Sequence, residues 1–211
     1  MVDPSFTDTL PPRVTAFTGI DAFTHAVECY IGKKASPITD VIALKAIELI
    51  ACNLKSARDD GTDKKVRDKV ALGSLFAGIT ITNSGTGGVH ALAYPLGSIF
   101  GIPHGLANAM MLPYVSQFNM PACASRFAEV AKQMGIITKD LSIKETANEA
   151  VLAIRKLVED MQISTRLRDV GIKRDDISAL TKLAAKITRL LDNNPRRMEI
   201  ADIERIYKDA F

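Results

Sequence analysis

The sequence predicts an all-α protein, a multi-helix bundle forming one domain over residues 1–211. Apolar residues recur at helical spacing along nearly the whole chain. Helix starts and stops punctuate these stripes, with serine before proline at one end and glycine after the last apolar residue at the other. No alternation of strand and helix patterns is present, so these residues cannot build a parallel nucleotide-binding sheet. Only residues 79–82 are β-branched enough to suggest a strand, and their continuity with a helical pattern reads them as its last turn.

Taken in order, residues 15–31 form the first clear helix, and Gly32 stops it. Ser36-Pro37 is an N-cap followed by a first-turn proline. The helix it opens carries Ile38, Val41, Ile42, Leu44, Ile47, Leu49, Ile50 and Leu54 on most of its faces, which predicts a centrally buried helix running to Asp59-Asp60-Gly61. Thr62 is placed to cap the next helix. That helix starts charged at Lys64, Lys65 and Arg67 and turns apolar through Leu72, Leu75, Phe76 and Ile79. The glycine-rich stretch 84–88 breaks the pattern. A short helix over 89–96 follows, then an irregular turn through Gly101, Pro103 and Gly105. Helix resumes over 106–119, with Pro113 as a kink point. Three further stripes run from Cys123 to Met134, from Val151 to Met161 and from Ile177 to Leu190. Asn193-Asn194-Pro195 is a turn before a last helix over 200–207.

Composition narrows the function classes. A hydrophobic fraction of 47% and a charged fraction of 24% are those of an ordinary soluble globular protein. The three cysteines, Cys29, Cys52 and Cys123, show no paired spacing and fit free thiols in a reducing, cytoplasmic compartment. Cys29 and Cys52 lie inside helical patterns and read as buried thiols. Neither a secretory leader nor an apolar run of about 18 residues is found, so no membrane span is expected. The net charge of +3 points neither to nucleic acid nor to an acidic partner. The basic run Lys64, Lys65, Arg67, Lys69 is interrupted by Asp63 and Asp68 and reads as a solvated helix face. Ser84 sits in no Gly-x-Ser-x-Gly elbow, against a serine hydrolase.

The whole chain contains three histidines, His25, His90 and His104. Asp21 and His25, four apart in a helical pattern, lie on one face one turn apart, where a carboxylate and an imidazole can share a cation. His90 follows the glycine-rich stretch and His104 sits in Ile102-Pro103-His104-Gly105, so flexible or small residues let backbone approach both. The flanks of all three are apolar, and an unpaired polar group in a core costs roughly 1–3 kcal/mol. A shared metal would satisfy all three, and the donor set suits Fe²⁺ or Zn²⁺. Ordinary core histidines bonded to backbone would account for the same spacing.

The stretch Thr15-Ala16-Phe17-Thr18-Gly19-Ile20-Asp21-Ala22-Phe23-Thr24-His25-Ala26-Val27-Glu28 resembles a signature of the iron-containing (group III) alcohol dehydrogenases. So do His90-Ala91-Leu92-Ala93-Tyr94-Pro95-Leu96-Gly97 and Ile102-Pro103-His104-Gly105-Leu106-Ala107-Asn108-Ala109. The likeness extends over essentially the whole chain. It implies the fold of the C-terminal helical domain of that family, shared with dehydroquinate synthase-like proteins, and a metal held by Asp21, His25, His90 and His104. It also implies Fe²⁺, with Zn²⁺ as the alternative, and NAD(P) in the complete enzyme.

Two departures from the family pattern stand out. No nucleotide-binding domain is present in these residues. The 84–88 loop completes neither a GxGxxG nor a GK[ST] motif and reads as a packing point for helix ends. Second, many relatives carry a further histidine near substrate and nicotinamide where this chain has Tyr94. Tyr94 is therefore the candidate catalytic residue, with an ordinary pKa near 10 instead of 6.5. Phe17, Phe100 and Tyr94 are candidates for lining a substrate pocket.

The implied reaction is NAD(P)-dependent oxidation of an alcohol to an aldehyde or ketone through a metal-bound alkoxide, the metal acting as Lewis acid. The implied partners are a small alcohol or aldehyde and a separate nucleotide-binding domain, with a homodimer left open and no nucleic acid or membrane. The chain alone is expected to be inactive. Two other readings compete: a noncatalytic, metal-stabilised helical module that docks on a partner, and, ranked last, a metal-dependent hydrolase.

Overall fold

The structure, a computed structural model, describes residues 2–211. Eleven α-helices occur among them and no strand: α1 Pro12–Ile31, α2 Pro37–Ala51, α3 Leu54–Asp59, α4 Lys64–Ser84, α5 Gly88–Phe100, α6 His104–Asn119, α7 Ala124–Gln133, α8 Ile143–Asp160, α9 Ile177–Ala184, α10 Thr188–Asn193 and α11 Ile200–Asp209. The all-α expectation is met, and residues 79–82 are indeed helix, inside the last turns of α4.

The axis of the bundle is α1. Its start is set by Pro12 in the first turn, where the missing N–H costs nothing. Most of its residues are buried, because α2, α3, α4 and α6 all pack on it. Two glycines allow the closest approaches. A Cβ on Gly19 would lie 2.1 Å from a Leu54 methyl, and one on Gly105 would lie 2.4 Å from the carbonyl oxygen of Phe17. The second contact presses the first turn of α6 against the backbone of α1.

Ser36 and Thr39 form a reciprocal cap at the start of α2, as Ser36-Pro37 predicts. The rest of α2 departs from expectation. Ala43, Ala46, Ile47 and Ile50 face α1 and α4, but Ile38 and Val41 are 78% and 71% exposed, so the helix is buried on one side only. Nor does it run on to Asp59. It ends at Ala51, where the Asn53 side chain donates to the Leu49 carbonyl and competes with the backbone ladder, and α3 begins anew.

The cap of α4 is Asp63, whose carboxylate accepts from Val66 N–H. Thr62, expected there, instead bonds Asp60. Arg67 leaves the predicted solvated face. It is buried, and its guanidinium donates to the carbonyls of Gly61 and Leu10. Among the cysteines, Cys29 is buried as read, whereas Cys52, just past the end of α2, is exposed.

The second half packs α7 on α8 as a pair, with a Ser142–Glu145 capping box opening α8. The stripe from Ile177 to Leu190 is two helices, not one, with Leu183 turned outward.

Asn193 and Asn194, read as a turn, are buried and tie the C-terminal part of the chain to its middle. Asn193 Nδ2 lies 2.9–3.2 Å from the carbonyl oxygens of Ser84, Gly85 and Thr86. Asn194 Oδ1 accepts from Gly88 N–H and from Asn119, and its amide nitrogen donates to Asn119 Oδ1 and to the Arg196 carbonyl. The Tyr207 hydroxyl of α11 donates to the Leu92 carbonyl of α5 at 2.6 Å. These bonds hold the start of α5 against the bundle. No helix among the described residues is long and apolar enough to cross a membrane.

The close approach at Gly105 yields a prediction. Gly105→Ala forces a Cβ into the Phe17 carbonyl and should cost about 1–3 kcal/mol, as overpacking does. A lower urea midpoint with an unchanged slope is the expected result, and an unchanged midpoint would show that α6 can shift freely on α1.

Candidate metal centre

Three helices meet at one point. From α1 come Asp21 and His25, one turn apart on one face. From the first turn of α5 comes His90, and His104 is the first residue of α6. Each of the four offers one ligand atom, and these atoms all lie within 4.8 Å of one another. Asp21 Oδ1 stands 3.7 Å from His25 Nε2, 3.8 Å from His90 Nε2 and 3.6 Å from His104 Nε2. A tetrahedral cation about 2.1 Å from N and O donors needs those donors about 3.4 Å apart. The three spacings from Asp21 are close to that. The His25 and His90 rings are stacked with centroids 4.7 Å apart, and the His90 and His104 centroids are 5.3 Å apart.

Burial differs among the imidazoles. His90 is buried and His25 half-buried, but the His104 side chain is 50% exposed. The apolar flanks had pointed to three buried rings. His104 departs because it opens a helix directly after Pro103 and overhangs the rim. The cluster is therefore closed on the α1–α5 side and accessible on the α6 side.

Hydrogen bonding shows what the cluster lacks. Asn108, one turn after His104 on α6, is fully buried. Its Nδ2 donates to Asp21 Oδ1 at 2.6 Å and also stands 3.1 Å from His90 Nε2 and 3.0 Å from His104 Nε2. One amide carries two hydrogens and faces Asp21 Oδ1 and two imidazole Nε2 atoms, three acceptors when both rings carry their proton on Nδ1. Its own Oδ1 is buried without a partner. A cation among these lone pairs would satisfy what the amide cannot, so the donor set fits a divalent metal. Among the described residues no other such group of potential ligands converges.

Two polar residues of this site were missed in the sequence. Asn108 could have been found by its helical spacing from His104. Glu28 falls at i, i+4 and i+7 with Asp21 and His25 on one face of α1, a signal available in advance. It is buried, and its carboxylate accepts from Val89 N–H and bonds His90 Nδ1, both at 2.6 Å.

Tyr94 lies one turn beyond His90 and is 41% exposed. Its ring meets His90 edge-on at 6.3 Å and tilts against His104 at 5.8 Å, beside the accessible side of the cluster. Phe17, Phe100 and Tyr94 do not gather round one cavity: Phe17 lines a cleft of about 560 Å³ with Arg13, Leu106 and Met161, and the other two lie outside it. The 84–88 loop is no phosphate cradle, since the N–H groups of Gly88 and Val89 are taken by Asn194 and Glu28. It packs helix ends, as read. Burial pushes the Cys29 thiol up to about 12, which makes it inert.

Comparison with known proteins shows the family. A sequence profile described as Fe-containing alcohol dehydrogenase family, C-terminal, matches residues 15–211. The chain is 44% identical over its whole length to long-chain-alcohol dehydrogenase 1 of Geobacillus thermodenitrificans (strain NG80-2), of which it spans 53%. It is 42% identical to the 1,3-propanediol dehydrogenase of Citrobacter freundii, with 95% of this chain and 52% of that protein covered. Its fold superimposes on the crystal structure of a 1,3-propanediol oxidoreductase with a TM-score of 0.97 and 41% identity, covering 99% of this chain and 55% of that one. The chain thus spans about half the length of the relatives it matches.

The protonation of His25 follows from its surroundings. Burial, with some help from the neighbouring His90 and His104, holds its imidazole down to about 4 against the pull of Asp21 and Glu28. At neutral pH it is uncharged, as a metal ligand must be. Above about pH 6.5 folded and unfolded chains both carry it neutral, and it has no effect on stability. Between about 6.5 and 4 only the unfolded chain takes up the proton, so stability falls as the pH falls through that window. The metal-free protein should melt at progressively lower temperature from pH 6.5 to pH 4, and His25→Gln should flatten that slope. A wild-type melting temperature constant across the window would contradict this environment for His25.

Proposed function

We propose a function from one premise: the chain belongs to the Fe-containing alcohol dehydrogenase family, whose C-terminal half it matches. On this reading residues 1–211 form one metal-binding catalytic domain of an NAD(P)-dependent oxidoreductase that interconverts small alcohols with aldehydes or ketones. Asp21, His25, His90 and His104 hold a single divalent cation, with Fe²⁺ favoured by the family and Zn²⁺ chemically acceptable. The observation that carries the reading is the convergence of one carboxylate oxygen and three imidazole nitrogens on a point where Asn108 leaves lone pairs unmet.

When bound, the cation supplies Lewis-acid polarisation of a substrate oxygen. The protein's own residues do the rest. Asp21 contributes the one negative ligand and His25 is already neutral at physiological pH. The exposed side of His104 leaves a way in for a small molecule. Tyr94 flanks that side and can offer its hydroxyl to substrate as donor or acceptor. The described residues do not fit a dinucleotide, because the only glycine-rich loop beside the site has its amides already bonded. NAD(P) binding is therefore assigned to a separate nucleotide-binding unit. The names of two relatives refer to long-chain alcohols and to 1,3-propanediol, and an alcohol of either length is the substrate class favoured here.

The chain should bind one Fe²⁺ or Zn²⁺ under anaerobic conditions and yet show no NAD(P)-dependent alcohol oxidation by itself. Robust turnover by the purified chain, with no other polypeptide added, would overturn the division of labour. His104→Ala should lower metal content at least tenfold while folding is preserved, since the side chain is half exposed; elemental analysis reads the result, and full metal content would remove His104 from the ligand set. Tyr94→Phe should leave metal content at one per chain.

A further inference from the structure

Glu28 is a buried carboxylate for which the ligand set has no use. It is 2% exposed, and among the described residues no lysine or arginine pairs with it. An ionised carboxylate is strongly disfavoured in such a place unless it is compensated. Its two oxygens meet two different donors. Oε1 accepts from Val89 N–H, in the first turn of α5, and Oε2 lies 2.6 Å from His90 Nδ1. The space for it depends on Gly87, where a Cβ would stand 3.3 Å from Oε1.

We propose that Glu28 is the positioning residue of the metal centre: by accepting the Nδ1 proton of His90 it fixes the tautomer in which Nε2 presents a lone pair to the cation. The inference rests on the metal reading above and extends it to a residue that is no ligand. A carboxylate suits the place because it accepts at both oxygens and donates at neither. The Val89 bond keeps the carboxylate from rotating away, so the orientation of His90 is tied to the backbone of α5. Electrostatics agree. Both Glu28 oxygens have a hydrogen-bond partner, and a divalent cation held on the far side of the His90 ring would add an attractive charge. Acceptors behind metal-bound imidazoles act in this way generally, and their loss lowers metal affinity about 10- to 100-fold.

Glutamine tests the idea with almost no change of shape. Its side chain offers one acceptor to two donors. Either Val89 loses its bond, or the amide donates to Nδ1 and His90 moves its proton to Nε2, where it blocks the ligand position. Co²⁺, titrated by its visible absorption, is the probe. Wild type should take up one Co²⁺ per chain, and Glu28→Gln should bind it 10- to 100-fold more weakly with the same helical circular dichroism. Long-range ¹⁵N–¹H spectra of the metal-free chain, which has only three imidazoles to assign, should show His90 protonated at Nδ1 in wild type, and in Glu28→Gln either at Nε2 or still at Nδ1 with the Val89 amide losing its protection from exchange. Glu28→Asp, which keeps two acceptor oxygens, should retain the Nδ1–H form and lose less affinity than the glutamine variant.

A folded Glu28→Gln chain that binds Co²⁺ as tightly as wild type would overturn the role of Glu28 alone. So would His90 found as the Nε2–H tautomer in wild type, a result that requires no variant to fold. Wild type that takes up no Co²⁺ would instead overturn the metal reading on which this one stands.

Discussion

Four lone-pair donors held within 4.8 Å of one another repel unless hydrogens or a cation stand between them, and the arrangement of this bundle answers to that demand. The protein supplies one partial answer from its own atoms, the amide nitrogen of Asn108. Its two hydrogens cannot serve Asp21 and both imidazoles when each ring presents a lone pair at Nε2, and the amide's own oxygen is left buried and unpaired. Such a cluster would be a poor way to stabilise a helical core, where apolar side chains would pack without these costs. It is well suited to taking up a cation from solution.

The scaffold around the cluster is built for close approach. Gly105 brings the start of α6 onto the backbone of α1, so that His104 and Asp21 face one another from adjacent helices. Asn193 and Asn194, far along the chain, gather the carbonyls and amides of the 84–88 loop and set where α5 begins. Glu28 then takes the next amide and the ring of His90. Each of these polar groups is buried and nearly every one is paired, so the four side chains of the cluster sit on a frame with little freedom to relax. The accessible side of the cluster is the His104 and Tyr94 side.

Where local reading failed, the failures have physical causes. The apolar positions of α2 surround the helix in projection, yet Ile38 and Val41 face outward, because periodicity reports hydrophobicity and not which faces have neighbours. Arg67 sits in a run of charges that looks solvated, but two backbone carbonyls at Gly61 and Leu10 accept its hydrogens and bury it. The break at Cys52 and Asn53 is a side chain competing for a helical carbonyl, which propensity alone does not resolve. His104 has apolar neighbours in sequence and solvent beside it in space.

The sequence by itself determined the helical class and most helix boundaries, because helical spacing and caps are local facts. Spacing and the scarcity of histidine only raised a shared metal beside ordinary core histidines, and it was the resemblance of the motifs that nominated Asp21, His25, His90 and His104. Three things were decided only by tertiary structure: that the four side chains meet, that Asn108 leaves them short of hydrogens, and that Glu28 stands behind His90. Each depends on the distance between residues on different helices, and helix-to-helix distances are set by packing at glycines and by buried asparagines remote in the chain.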